Sequence, residues 1–304
     1  MKRKSLETKN RLSPLTITLL TILVLYAVVL VFIFAWVLLT ASKAYVNDFK
    51  SFDGKSHDNI VGLPKEFKLF ENLSYINNGF ADFTMIDMAI NTLLYALGCS
   101  LSKVIVTCIV AYLCARYENW FSKVIYTIVI VTMIVPVVGN MAAEIKLAQE
   151  LNLHNNMLGM WVMRANFLGM YFLVFYAVFK AMPKGYYEAA RIDGANDLQV
   201  MIKVALPLAK LTFFSIFLIL FIEYWNDYLI PNLYLPDYKT LSLALYNQSL
   251  SQELDIIPGH EEIDLSQVTY LMASVLCVTI PVIFIFAVFS KRLMGNMSIG
   301  GLKG

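Results

Sequence analysis

The sequence predicts an all-α polytopic membrane protein with six transmembrane helices, and three observations carry that expectation. Of 304 residues, 59% are hydrophobic and 15% charged, with a mean hydropathy of +0.64, against about 25% charged in soluble domains. The apolar residues gather in runs long enough to cross a hydrocarbon core of roughly 30 Å. No ten-residue alternating segments suggest a barrel, and lipid tolerates no open strand edge, which leaves helices. A net charge of +2 gives no basis for a nucleic-acid partner.

The elements follow in order. An N-tail over 1–14 carries Lys2, Arg3, Lys4, Lys9 and Arg11, and the apolar run 15–40 behind it exceeds a signal h-region and has no small-residue cleavage site, so it reads as an uncleaved anchor. An external loop over 41–85 leads to a five-helix core over 86–292, with spans near 86–115, 122–141, 157–180, 211–232 and 267–290. Within that core lie a polar cytoplasmic loop, 181–210, and a long external loop, 233–266; a C-tail over 293–304 closes the chain. The N-tail, the Arg116 to Lys123 turn, the 180–210 loop and the residues from Lys291 onward hold 15 of the 24 lysines and arginines, so the positive-inside rule puts both termini and that loop in the cytoplasm. The two large external loops read either as solvated connectors or as contact surfaces for an external partner.

The cytoplasmic loop divides into two short helices. Pro183 starts the first, Gly194 suits its left-handed cap, Asn196 with Gln199 can cap the second, and Pro207 is expected to end it. Tyr187, Ala190 and Arg191 recur at helical spacing, and Ala189 with Ala190 keeps one side slim enough to enter a groove of a soluble partner. An ordinary amphipathic loop lying on the membrane would instead need a basic face with bulky apolar anchors, whereas here the centre is Glu188-Ala189-Ala190 with Asp193 and Asp197.

The run Glu188-Ala189-Ala190, three residues, Gly194, nine residues, Val204, one residue, Leu206-Pro207 resembles the EAA loop of ABC importer permeases, with Val204 in place of an isoleucine. The likeness extends to Asn91-Thr92-Leu93-Leu94, Ala111 to Tyr117, Trp225-Asn226-Asp227-Tyr228, Lys239-Thr240-Leu241 and the terminus Gly300-Gly301-Leu302-Lys303-Gly304. Together these are similar to the maltose-type permease subunits of carbohydrate-uptake ABC importers, over roughly residues 86–304. The resemblance implies the type I importer permease fold and a bacterial or archaeal cell membrane. Its partners would be a second, non-identical permease, two cytoplasmic ATPase subunits that hold ATP and Mg, and an external sugar-binding protein. It implies that Tyr187, Glu188, Ala189, Ala190, Asp193, Gly194, Leu206 and Pro207 couple to the ATPase, that Glu188 pairs with a basic residue in the ATPase cleft, and that Gly300 to Gly304 reach the ATPase dimer interface. The insert around 252–264 and the longer first external loop depart from the family pattern and leave the external partner and substrate size open.

Intramembrane polar residues are costly and require an explanation. One reading lines a sugar pathway with Asn91, Tyr95, Arg164, Asn166, Tyr171, Glu223, Trp225 and Asn226, since sugars need hydrogen-bonding groups beside flat aromatic faces. The other pairs Lys103, Arg164 and Glu223 with the second permease, or lets the two cations snorkel to the interface. A separate possibility is ion-coupled transport with Glu223 or Asp227 as the proton carrier, which would call for two related halves or broken midplane helices; neither is visible in the sequence. A non-transporting scaffold or receptor subunit is a third.

No catalytic, metal or cofactor motif is recognised. Gly54-Lys55-Ser56 resembles the end of a P-loop, but Phe49 stands where its first glycine belongs. His57, His154 and His260 lack metal-ligand spacing and read as surface residues. Cys99, Cys108, Cys114 and Cys277 lie in apolar runs as small hydrophobes, so no disulfide framework is expected.

Overall fold

A computed structural model of the chain describes residues 13–44, 62–74, 83–135, 139–254 and 265–294. Among these residues all regular structure is helical. The chain divides into two compact units, Met1–Tyr75 with Pro258–Leu276, and Ile76–Ile257 with Cys277–Gly304.

In the first unit, α1 (Pro14–Ala41) opens on a Ser13 cap and Pro14 at its first turn. It is apolar on every side, and most of its large side chains, from Leu15 to Phe34, are uncovered by protein, as expected of a helix whose solvent is lipid. Its C-terminal end packs Ala41 and Val37 with Met272, Ala273 and Leu276, together with Leu69 and Leu73 of the short α2 (Leu69–Ser74). Buried Asn72 donates to the Ala41 and Lys43 carbonyls at 2.8 and 2.9 Å, satisfying backbone acceptors at the helix end. Residues 69–74 are therefore tied to the end of α1 by hydrogen bonds.

The second unit is built around α3 (Met85–Arg116), which starts in a Thr84/Asp87 capping box. Its buried stripe steps through Met88, Thr92, Ala96, Cys99, Val104, Cys108, Ala111 and Ala115, and the small members let neighbours come close. The helices packed on it are α4 (Trp120–Ile134), α6 (Met157–Arg164), α7 (Met170–Lys180), α10 (Leu206–Trp225) and α12 (Leu241–Leu254). Between α3 and α6 the fit depends on Gly98: a Cβ there would lie 2.0 Å from the Trp161 ring. α5 (Met141–Glu150) precedes α6, and α13 (Leu265–Met294) runs through Pro281 to the last described residue.

Among the described residues four helical stretches are long and apolar enough to cross a membrane: Pro14–Ala41, Met85–Arg116, Asp197–Trp225 and Val268–Phe289. Trp120–Ile134 and Met170–Lys180 are apolar but shorter. Three expected spans are corrected. The run 122–141 stops at Ile134, because Val135 precedes Pro136 and takes an extended conformation, φ −86° and ψ 110°. The run 157–180 breaks between Arg164 and Met170, where Gly169 adopts φ +114°, a conformation that L side chains rarely take. The run 211–232 begins earlier, at Asp197, and breaks after Trp225, resuming as α11 (Leu229–Tyr234). Much of the 233–266 loop is also folded. Leu241, Leu243 and Ala244 are buried, and Thr92 Oγ1 accepts from Leu241 N at 2.9 Å. The N-tail up to residue 12, the segments around Gly54 and around His260, and the C-terminal Gly300 to Gly304 lie outside the described residues.

Candidate functional site

The polar loop forms a helical hairpin, α8 (Lys184–Ile192) and α9 (Asp197–Val200). Its turn is made by Gly194 at φ +79°, with Gly194 N–H donating to the Arg191 carbonyl and Ala195 N–H to the Ala190 carbonyl, both at 3.0 Å. Asn196 and Gln199 exchange hydrogen bonds in a capping box that starts α9. Arg191 bridges the two helices, its Nη2 2.6 Å from Asp197 Oδ1, and that contact holds the guanidinium above its ordinary pKa.

Two buried side chains fix the hairpin to the bundle, Tyr187 of α8 and Val200 at the end of α9. Tyr187 is 4% exposed; its hydroxyl meets Met182 Sδ at 3.2 Å, and the Arg116 guanidinium at the end of α3 lies 4.3 Å from its ring centroid. On the opposite face Glu188, Ala189, Tyr186, Asp193 and Gly194 are exposed, and Ile192 (86%) and Leu198 (60%) are left largely uncovered. Of the residues singled out from the sequence, Tyr187 thus faces inward and Glu188 and Ala189 outward, with Ala190 half-buried between them.

Pro207 does not terminate the second helix. The chain runs through α9, a π-helical turn (Met201–Ala205) and α10 without interruption. Proline lacks a donor and its ring collides with the carbonyl four residues back; here the backbone widens just upstream, Leu206 N–H donating five residues back to the Met201 carbonyl. The outcome is one rod, Asp197–Trp225, of 29 residues and about 43 Å at 1.5 Å per residue.

At the far end of that rod is a cavity of about 360 Å³ lined by Lys103, Arg164, Glu223, Tyr224, Asn226, Asp227 and Ile230. It opens where α6 and α10 both break, which frees irregular backbone beside polar side chains. Tyr95 donates to Asp227 Oδ2 at 2.7 Å, while Asp227 Oδ1 accepts from Ile230 N at 3.1 Å and so caps α11. Arg164 reaches toward the Tyr234 ring, 6.0 Å from its centroid, and its buried Nε has no hydrogen-bond partner among the described residues.

The structure brings together only part of the residue set picked from the sequence. Arg164, Glu223 and Asn226 line the cavity. Tyr95, completely buried, sits behind it as a support for Asp227 and packs edge-on against Tyr224 at 5.8 Å. Trp225 is 3% exposed and donates from Nε1 to the Val278 carbonyl, so it is a core residue rather than a lining aromatic. Asn91 donates to the Lys239 carbonyl at 3.1 Å and joins α3 to the segment before α12. Asn166 accepts through its backbone from Thr107, and half-buried Tyr171 is within electrostatic range of Glu223. His154, expected at the surface, is half-buried with Nε2 3.1 Å from the Leu233 carbonyl. The contact of Arg116 with Tyr187 and the place of Tyr224 in the cavity have no sequence signal, since each depends on how separate helices cross.

Residues 104–296 match the family described as binding-protein-dependent transport system inner membrane component. Over 289 residues the chain is 26% identical to the diacetylchitobiose uptake system permease protein NgcG of Streptomyces coelicolor, covering 93% of this chain and 87% of that protein. Over 217 residues it is 24% identical to the melibiose/raffinose/stachyose import permease protein MelC of Bacillus subtilis, covering 71% and 75%. The fold is similar, with a TM-score of 0.70 and 22% identity over 90% of this chain and 95% of the other, to a chain in the crystal structure of a bacterial ABC transporter involved in the import of the acidic polysaccharide alginate. The match spans the hairpin, the rod and every lining residue of the cavity but Lys103, and the chain belongs to the family of binding-protein-dependent transport system inner membrane components.

Proposed function

We propose that this chain is the transmembrane permease subunit of an ATP-driven ABC importer and forms half of the pathway for a sugar, specifically an oligosaccharide. The observation that carries the reading is the rod Asp197–Trp225, which bears the EAA hairpin at one end and Glu223 of the polar cavity at the other. A displacement of the hairpin reaches the cavity through continuous helix, without a flexible joint. The saccharide class comes from relatives named for diacetylchitobiose and for melibiose, raffinose and stachyose.

In this mechanism the four long helices, α4, and α6 with α7 make six crossings, both termini and the hairpin being cytoplasmic. ATP closes two partner ATPase subunits, whose nucleotide and Mg stay with them, and the hairpin follows with Glu188, Ala189 and the Gly194 turn seated in the ATPase cleft. Leu206 and Pro207 carry the motion into the rod, and Gly300 to Gly304 contact the ATPase dimer. A second, non-identical permease completes the pathway and an external sugar-binding protein loads it. The cavity, near the small end of the range of about 300–1,000 Å³ for ligand pockets, offers donors from Lys103, Arg164 and Asn226 and acceptors from Glu223 to sugar hydroxyls. Helix breaks of the kind expected for ion coupling do exist beside Glu223 and Asp227; membership of a binding-protein-dependent family is what sets that alternative aside.

The test is extraction of the tagged chain from its own cells in mild detergent, with mass spectrometry of what accompanies it. A second multispan subunit and an ATPase are expected, and Glu188→Ala should abolish sugar-stimulated ATPase activity. Recovery of the chain alone, or normal stimulation in that variant, would contradict the reading.

A further inference from the structure

A second cavity, of about 290 Å³, lies at the opposite end of the bundle from the charged one, where α3 ends, α4 begins and α7 ends. Its walls include Glu118, Ser122, Lys123, Tyr126, Tyr176 and Lys180. Lys180 forms an ion pair with Glu118. The single Glu118 carboxylate has Lys123, Lys180 and Lys184 within electrostatic range, which leaves the group with an excess of two positive charges. The Tyr126 and Tyr176 rings, 4.9 Å apart, form one wall.

We propose that this pocket holds the headgroup of an anionic glycerophospholipid. Excess lysine charge, hydroxyl donors and a mouth at the ends of apolar helices match a phosphodiester held at the membrane surface. What distinguishes a lipid from free phosphate is the surface leading away from the pocket. The α4 stripe that starts at Lys123 continues, at helical spacing, through Val131 and Ile134, which are 49% and 73% exposed and offer a track for an acyl chain. At the start of α4, Trp120 and Phe121 are 77% and 62% exposed, as in the aromatic belts that sit at headgroup level. The pocket also adjoins the hairpin along the chain: Lys180 ends α7 and Lys184 begins α8, so an occupied pocket would brace the base of the coupling element.

The experiment is native mass spectrometry of the intact transporter in nanodiscs of phosphatidylcholine doped with phosphatidylglycerol, read as the ratio of the two lipids retained. Each lysine removed is expected to lower the retention ratio about fivefold, since one basic residue near an anionic surface contributes about 1 kcal/mol. Lys123→Gln and Lys180→Gln should therefore both lose retention, and Lys123→Arg should keep it. Glu118→Gln removes the one acidic wall residue and is expected to raise retention by a similar factor, a gain that misfolding cannot produce. Glycerol 1-phosphate in excess should compete poorly, because it lacks the chain that follows Val131 and Ile134. Unchanged ratios in Lys123→Gln and Glu118→Gln would overturn the proposal, and full competition by glycerol 1-phosphate would replace the lipid with a soluble phosphate ester. Failure of this site leaves the ATPase recovery test for the transporter untouched.

Discussion

Replacing Arg116 by glutamine isolates one contact that docks the helical hairpin on the bundle. The guanidinium lies 4.3 Å from the Tyr187 ring centroid, and the ring is 4% exposed. A cation over an aromatic face contributes about 0.5–1 kcal/mol when exposed and about 2 when desolvated. Arg116 is half-buried, so a loss of about 1–2 kcal/mol is expected, a five- to thirty-fold rise in the undocked population. Tyr187→Ala also removes the buried ring, for which about 3–5 kcal/mol applies, and should leave α8 largely undocked. Tyr187→Phe keeps the ring under Arg116 and loses only the contact with Met182 Sδ; it should stay close to the parent. The assay is hydrogen exchange across residues 184–200 in the assembled transporter, beside sugar-stimulated ATPase activity. Exchange is expected to quicken from Tyr187→Phe through Arg116→Gln to Tyr187→Ala, with stimulation falling in the same order. Identical exchange in Arg116→Gln and the parent would refute the idea that this contact positions the hairpin.

Other consequences follow from single geometric facts. Gly194→Ala places a side chain at φ +79°, at a cost of about 1–2 kcal/mol; nothing lies within 4 Å of the added Cβ, so backbone strain alone should lower the thermal stability of the hairpin, measured by the same exchange. Tyr95→Phe removes the 2.7 Å hydrogen bond to Asp227, and a bond to a charged group contributes about 1.5–3 kcal/mol. Transport should fall with little change in ATPase recovery, and equal transport rates would show that Asp227 needs no such support. The Lys180 hydrogen bond and charge hold the Glu118 carboxyl below the usual carboxylate range. A depressed carboxylate contributes stability above its unfolded pKa, about 4.3, and loses it as pH falls through the lower folded value. The Tm difference between Lys180→Gln and the parent should therefore be flat from pH 8 to 5 and shrink only in stronger acid; a difference that vanishes near pH 6 would contradict this.

Composition and the arrangement of apolar residues in long runs determined that this is a helical membrane protein, because such runs leave the backbone no other way to satisfy its hydrogen bonds in lipid. Local chemistry was equally legible at the hairpin. Gly194, Asn196 and Gln199 act on their own neighbours, so the turn and cap follow from spacing. Continuity along the chain was not legible. Pro207 signals a stop when read locally, yet the wider turn over Met201–Ala205 lets the helix pass it and makes the rod. The breaks after Arg164 and Trp225 were hidden inside apolar stretches whose hydropathy does not register backbone geometry. At the cavity, residue type indicated that charges within spans need partners, and packing alone decided which side chains face the space. Trp225 and Asn226 are adjacent in sequence, but on a helix they point about 100° apart, so one is buried in the core and the other lines the cavity. That choice is fixed by how the end of α10 meets α13 on one side and α3 and α6 on the other, a property of several helices together.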